Sequence, residues 1–119
     1  MAAATVLILV RDILGAGLFA ALVEDANRQP VFPLPGERPE SAVERLRPSS
    51  ILLECHHPAA RSDTFFTAVQ LTQSRVVLFA PGAPWEDWEE IAKHPAVSAF
   101  VHAGDGQSLS DLVRQALGG

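Results

Sequence analysis

Thr5 to Val10 is an unbroken run of β-branched and aliphatic residues closed by Arg11, the pattern of a strand buried on both faces of a parallel sheet. From Ile13 to Asn27 the period lengthens: Leu14, Leu18, Ala21 and Leu22 recur at three- and four-residue steps, and Glu24, Asp25 and Arg28 mark a solvated end. That spacing predicts an amphipathic helix with the leucines on its apolar stripe. Pro30 ends it. Val31-Phe32-Pro33-Leu34 predicts a short second strand, and its prolines confine it to a sheet edge, because proline cannot donate to a ladder.

A turn at Gly36 to Pro39 leads into a short helix from Ser41 to Arg47, with Val43 and Leu46 inward and Pro48 closing it. Ile51-Leu52-Leu53 predicts the third strand, which runs out into Glu54-Cys55-His56-His57 before Pro58, so its carboxyl end carries side chains capable of chemistry. Asp63 is the expected N-cap of a helix through Thr72 that buries Phe65, Phe66 and Val69. Arg75 to Phe79 is the fourth strand. Pro84 suits the first turn of a helix reaching Lys93, with Glu86 and Asp87 at its positive end. Val97 to Val101 is the fifth strand, and Ser108 opens a last helix through Leu117 with Leu109, Leu112, Val113 and Leu117 on one face.

Strands alternating with helices through short turns require right-handed crossovers and a parallel sheet covered on both sides, the doubly wound α/β architecture. With the proline-bearing second strand at an edge, the expected order of the five strands is 2-1-3-4-5. At 119 residues the chain fits a single domain spanning positions 1–119. A net charge of -5 without a basic cluster offers no footprint for phosphate backbones or anionic lipid, so neither nucleic acid nor membrane is an expected partner. The opening apolar run lacks a basic leader and is shorter than a membrane span. Cys55 is the only cysteine, so no internal disulfide forms, and the expected compartment is the cytoplasm.

The candidate chemistry gathers at strand ends. Glu54 reads either as a permanent acid in a charged pocket or as a strand-end carboxylate paired with Arg11; both readings bring the two together. Cys55, His56, His57 and His102 lack metal-ligand spacing, and neighbours in an extended strand point to opposite faces, so no metal and no cofactor is expected. Cys55 reads as a buried structural thiol, and His56 and His57 as surface or capping residues. Gly15-Ala16-Gly17-Leu18-Phe19-Ala20 fits the dinucleotide pattern G-x-G-x-x-A, but Arg11 to Leu14 separate it from the strand-to-helix turn that a pyrophosphate needs. The glycines are read instead as easing helix–sheet packing. Trp85 and Trp88 share a helix side, where an exposed member would anchor an interface.

Leu52-Leu53-Glu54-Cys55-His56-His57-Pro58 resembles the apolar strand, phosphoacceptor aspartate, three variable residues and proline of bacterial response-regulator receiver domains, with Glu54 at the aspartate position. Gly36 before the second helix, Arg47-Pro48 before the third strand and the helix from Ser108 to Leu117 fall where that family has comparable features, and the resemblance covers essentially the whole chain. It implies a flavodoxin-like receiver fold. The family's acidic, magnesium-binding pair corresponds to Arg11-Asp12, its hydroxyl residue to Phe79 with Ala80 following, and its lysine to His102 or, one residue on, to Ala103. The resemblance therefore implies a degenerate receiver: no enzyme, no conventional aspartyl phosphorylation, and action on a protein partner of a bacterial signalling pathway or by homodimerisation. The interaction face it implies comprises the fourth helix, fifth strand and fifth helix, which carry Trp85, Trp88 and Phe100. A small-ligand or nucleotide-binding flavodoxin-like domain is the alternative, and a receiver with residual phosphoacceptance at Glu54 is a third.

Overall fold

The structure is a computed structural model that describes residues 4–79, 85–101 and 109–117, with the side chains of 85–88, 100, 109 and 110 outside the described set. The elements run β1 (Thr5–Leu9), α1 (Ile13–Asp25), β2 (Gln29–Val31), α2 (Pro39–Leu46), β3 (Ser50–Glu54), a 3-10 turn (Pro58–Arg61), α3 (Asp63–Thr72), β4 (Arg75–Phe79), α4 (Trp85–Ala92), β5 (Val97–Val101) and α5 (Leu109–Ala116). The strands are parallel in the order β2-β1-β3-β4-β5, as the sequence predicts.

Leu7 lies opposite Ile51, and Ile51 opposite Val76, so like faces stay aligned across the sheet. Alternate residues of each strand then feed two separate cores. Leu7, Leu9, Ile51, Leu53, Val76 and Leu78 pack with Val43, Phe65, Phe66, Val69 and Ile91 beneath α2, α3 and α4. Val6, Ile8, Leu52, Val77, Phe79 and Val101 pack with Phe19, Val23, Val113 and Leu117 beneath α1 and α5. This division is why the strands read as continuous apolar runs: both faces are covered.

Local chemistry sets the helix ends. Gly36 takes φ +77 in the turn ahead of α2, a conformation that costs glycine little. Leu34 N–H donates to Glu37 at 2.9 Å, and Arg45 clamps the same carboxylate through two bonds of 2.8 Å. The Arg45 bonds, followed by the Leu34 amide, bring the Glu37 carboxyl down to about 2. Ser62, and not Asp63, caps α3: its hydroxyl accepts from Phe65 N–H at 3.2 Å, while Asp63 occupies the first turn. Both residue types cap well, and the backbone leaves the helical region at Ser62.

Two further expectations need correction. The second strand is Gln29–Val31, upstream of the expected Val31 to Leu34, with Pro30 opposite Val6; its place at the edge leaves the missing N–H harmless. In α1 the buried stripe is Phe19 and Val23, continued by Ala26, whereas Leu14 is 82% and Leu18 50% exposed. The helix is apolar on every side from Ile13 to Val23, so its sequence offers two competing stripes, and the larger Phe19, packed edge-on against Phe79 at 4.4 Å, takes the inward place. The expected helix starts at Pro84 and Ser108 lie outside the described residues.

Candidate functional site

In an open parallel sheet, chain connections leave in opposite directions where the strand order reverses, opening a crevice at the carboxyl ends of the strands. Here that point lies between β1 and β3, and the segments leaving them carry Arg11 and Asp12 on one side and Glu54 to His57 on the other. Arg11 Nε stands 3.3 Å from Glu54 Oε1. The pair is asymmetric in exposure: the guanidinium side chain is 59% exposed and the carboxylate side chain 14%. Glu54 is thus sheltered while its partner reaches in from solvent.

Asp12 is committed to local structure. Its carboxylate caps α1, accepting from Leu14 N–H at 3.2 Å. Beyond Glu54 the chain turns tightly: His57 N–H donates to the Glu54 carbonyl and Cys55 N–H to the Phe79 carbonyl, each at 2.9 Å. Cys55 is buried at the core edge, and Arg61 Nη1 donates to its carbonyl at 3.2 Å. His57 is half-buried and caps the 3-10 turn, its Nδ1 accepting from Ala59 N–H at 3.1 Å. That bond requires Nδ1 unprotonated. Burial is the main reason the imidazole titrates below its ordinary value; the Glu54 charge opposes the shift and the Arg11 charge adds to it. His56 is exposed.

Phe79, the last residue of β4 and the register partner of Glu54, is buried against Phe19 in the core beneath α1 and α5. The structure therefore brings together Arg11, Asp12, Glu54 and Phe79 at adjoining strand ends. His102 and Ala103 lie outside the described residues, as do the side chains of Trp85, Trp88 and Phe100, although the backbones of those three belong to α4 and β5. Among the described residues no group of three or more His, Cys, Asp and Glu side chains is arranged to hold a metal ion. No described helix is long and apolar enough to cross a membrane.

The glycine motif falls inside α1 and not at its entry. A Cβ on Gly15 would approach Val10 Cγ1 to 3.1 Å, so Gly15 does ease packing against the strand end. A Cβ on Gly17 would meet nothing within 4 Å, so for Gly17 the packing reading fails. Sequence reasoning also missed a cleft of about 320 Å³ between α3 and α4, bordered by Arg61, Asp63, Phe66, Glu90 and His94. His94 stacks on Phe66 with ring centres 4.1 Å apart. Its only trace in the sequence is the His94-Pro95 end of the helix; its other wall lies about thirty residues away in the chain and is joined only by folding.

No family model and no curated protein matches the sequence. Solved structures do match its fold, receiver domains among them. The signal receiver domain of a LuxO repressor protein from Vibrio parahaemolyticus shares 12% identity at a TM-score of 0.70, over 99% of this chain and 88% of that one. The chemotaxis protein CheY4 of Vibrio cholerae shares 13% identity at a TM-score of 0.71, over 98% of both chains. The receiver domain of a sensor histidine kinase from Pseudomonas aeruginosa, whose active-site cleft holds a coordinated magnesium ion, shares 15% identity at a TM-score of 0.68, over 97% of this chain and 95% of that one. At such identities the likeness is one of fold: this chain has the receiver, or CheY-like, architecture.

Proposed function

We propose that this chain is a receiver-type signalling domain that acts by binding a protein partner, with the phosphoacceptor pocket of its fold out of use. The observation that carries the reading is the ion pair between Arg11 and Glu54, 3.3 Å apart at the crevice between β1 and β3. A magnesium ion needs near-octahedral oxygen ligands including one or two carboxylates. Here a guanidinium neutralises one carboxylate, and the other, Asp12, is held by the start of α1. Glu54 also carries one methylene more than aspartate, and a misplacement of about 1 Å costs on the order of 100-fold in rate. Phe79 supplies no hydroxyl to steady a phosphoryl oxygen.

The same geometry weakens the small-ligand alternative, because Gly15 and Gly17 lie within α1 and so cannot form a phosphate-cradling turn. The acidic net charge of -5 favours a protein over nucleic acid or an anionic bilayer. In this reading the partner meets α4, β5 and α5, with Trp85, Trp88 and Phe100 as its aromatic anchors. Incubation with acetyl phosphate and magnesium, followed by intact mass measurement, tests the proposal. The expected mass is unchanged; a stoichiometric gain of one phosphoryl group that disappears in Glu54→Gln overturns it.

A further inference from the structure

The cleft between α3 and α4 has a composition that selects its occupant. Its volume of about 320 Å³ stands at the lower end of the range of small-molecule sites. Part of its lining is hydrocarbon: Ala60, Phe66 and Ile91 border it, and all three are buried. Another part is flat, because the His94 ring lies on the Phe66 ring with 25° between their planes. His94 Nδ1 accepts from Ala96 N–H at 3.1 Å, so the imidazole is neutral with its proton on Nε2 and brings the cleft no charge.

Charge enters the lining from Arg61, Asp63 and Glu90, all exposed. Arg61 Nη1 donates to the Cys55 carbonyl at 3.2 Å, which ties the guanidinium to the turn after β3. One cation against two carboxylates leaves the described lining with an excess of one negative charge. The α4 wall deepens that potential: it carries Glu86, Asp87, Glu89 and Glu90 and no basic residue, and Lys93 beyond its end is taken up by Glu89 at 3.3 Å. A concave surface under one sign of charge concentrates ions of the other.

We propose that the cleft binds a small organic monocation with a flat apolar body, its hydrocarbon against Ile91 and the His94–Phe66 stack and its charge toward Asp63 and Glu90. The inference stands apart from the partner face and from the Arg11–Glu54 crevice, and neither is needed for it. Two other classes of ligand fit the lining less well. An anion has Arg61 as its counter-charge but meets both carboxylates and the acidic α4. A neutral aromatic shares the apolar contacts and leaves the negative excess uncompensated.

Benzamidinium, benzamide and benzoate share ring, size and planarity and differ in charge, so titrating the full chain with each tests the proposal. Amide chemical shifts locate the site, and the thermal midpoint reports binding independently. Benzamidinium is expected to give saturable shifts centred on Ala60 to Phe66 and Glu90 to His94, to raise the midpoint and to bind more weakly as salt rises. Benzamide and benzoate should bind about fivefold more weakly or worse. Glu90→Gln, at an exposed position, should keep the fold and lower benzamidinium affinity by about threefold, and adding Asp63→Asn should lower it further. Benzoate binding tighter than benzamidinium would assign the cleft to anions through Arg61 and overturn the proposal. Equal affinities for the three probes overturn it too, as do saturable shifts confined to another surface, no saturable shift at tens of millimolar, or an affinity unmoved by the double variant.

Discussion

His57 ties the candidate site to pH. Its Nδ1 accepts the Ala59 amide, so the cap exists only while that nitrogen is unprotonated. Burial lowers its pKa from the ordinary 6.5, so the unfolded chain takes up a proton before the native one does. Stability must therefore fall as pH drops through 6.5 toward the native value, and it is fully present above 6.5. His57→Asn keeps a capping acceptor without a titrating group. Urea unfolding on either side of pH 6.5 should show a downward limb for the native sequence that is flatter in His57→Asn; equal slopes would refute the link. Arg11 and Glu54 belong to the same neighbourhood but contribute differently. With Arg11 59% exposed, the pair adds less than about 1 kcal/mol to stability, and its weight lies in the charge it cancels.

At the scale of elements, α1 shows both the reach and the limit of pattern reading. Its existence was legible from the change of period after Arg11; that Asp12 caps it is a finding of the structure. Its rotation was not legible, because no polar residue between Ile13 and Val23 marks the outer side. Packing against Phe79 decides the orientation, and that contact spans sixty positions of sequence. Phe19→Ala should therefore cost about 3–5 kcal/mol, as buried aromatic truncations do, whereas Leu14→Ala should stay within about 0.5 kcal/mol. Chemical denaturation under dilution that keeps the chain monomeric measures both; comparable losses would mean that the leucine stripe faces the core after all. The strands were easier to read, since β1, β3 and β4 are buried on both faces and admit no rival register of polar and apolar positions. β2 was not, because an edge strand of three residues containing proline has almost no pattern to display. The meeting of Arg11 and Glu54 was legible for the same reason as the strands: each terminates a readable run.

Over the whole molecule the strand ends at the crevice and the core share a residue, and that coupling sets what a change there would cost. Arg11 stands at the rim, 59% exposed, where replacement by aspartate disturbs little packing. Phe79 does not. It is 6% exposed, lies opposite Glu54 in the sheet and joins the core beneath α1 and α5 through Phe19. Installing a hydroxyl there by Phe79→Thr removes most of a ring from a packed interior and should cost about 3–5 kcal/mol, a large share of the roughly 5–15 kcal/mol available to a domain. The ring pair contributes beyond its area, so Phe19→Ala and Phe79→Ala should fall short of additivity by about 0.5–1.5 kcal/mol in a double-mutant cycle. Urea denaturation of the two single variants and the double variant measures this. Additive losses would show that the end of β4 and the helix are independent; the expected coupling means that Phe79 is part of the structure holding α1 on the sheet, and with it the stripe that α1 presents to solvent.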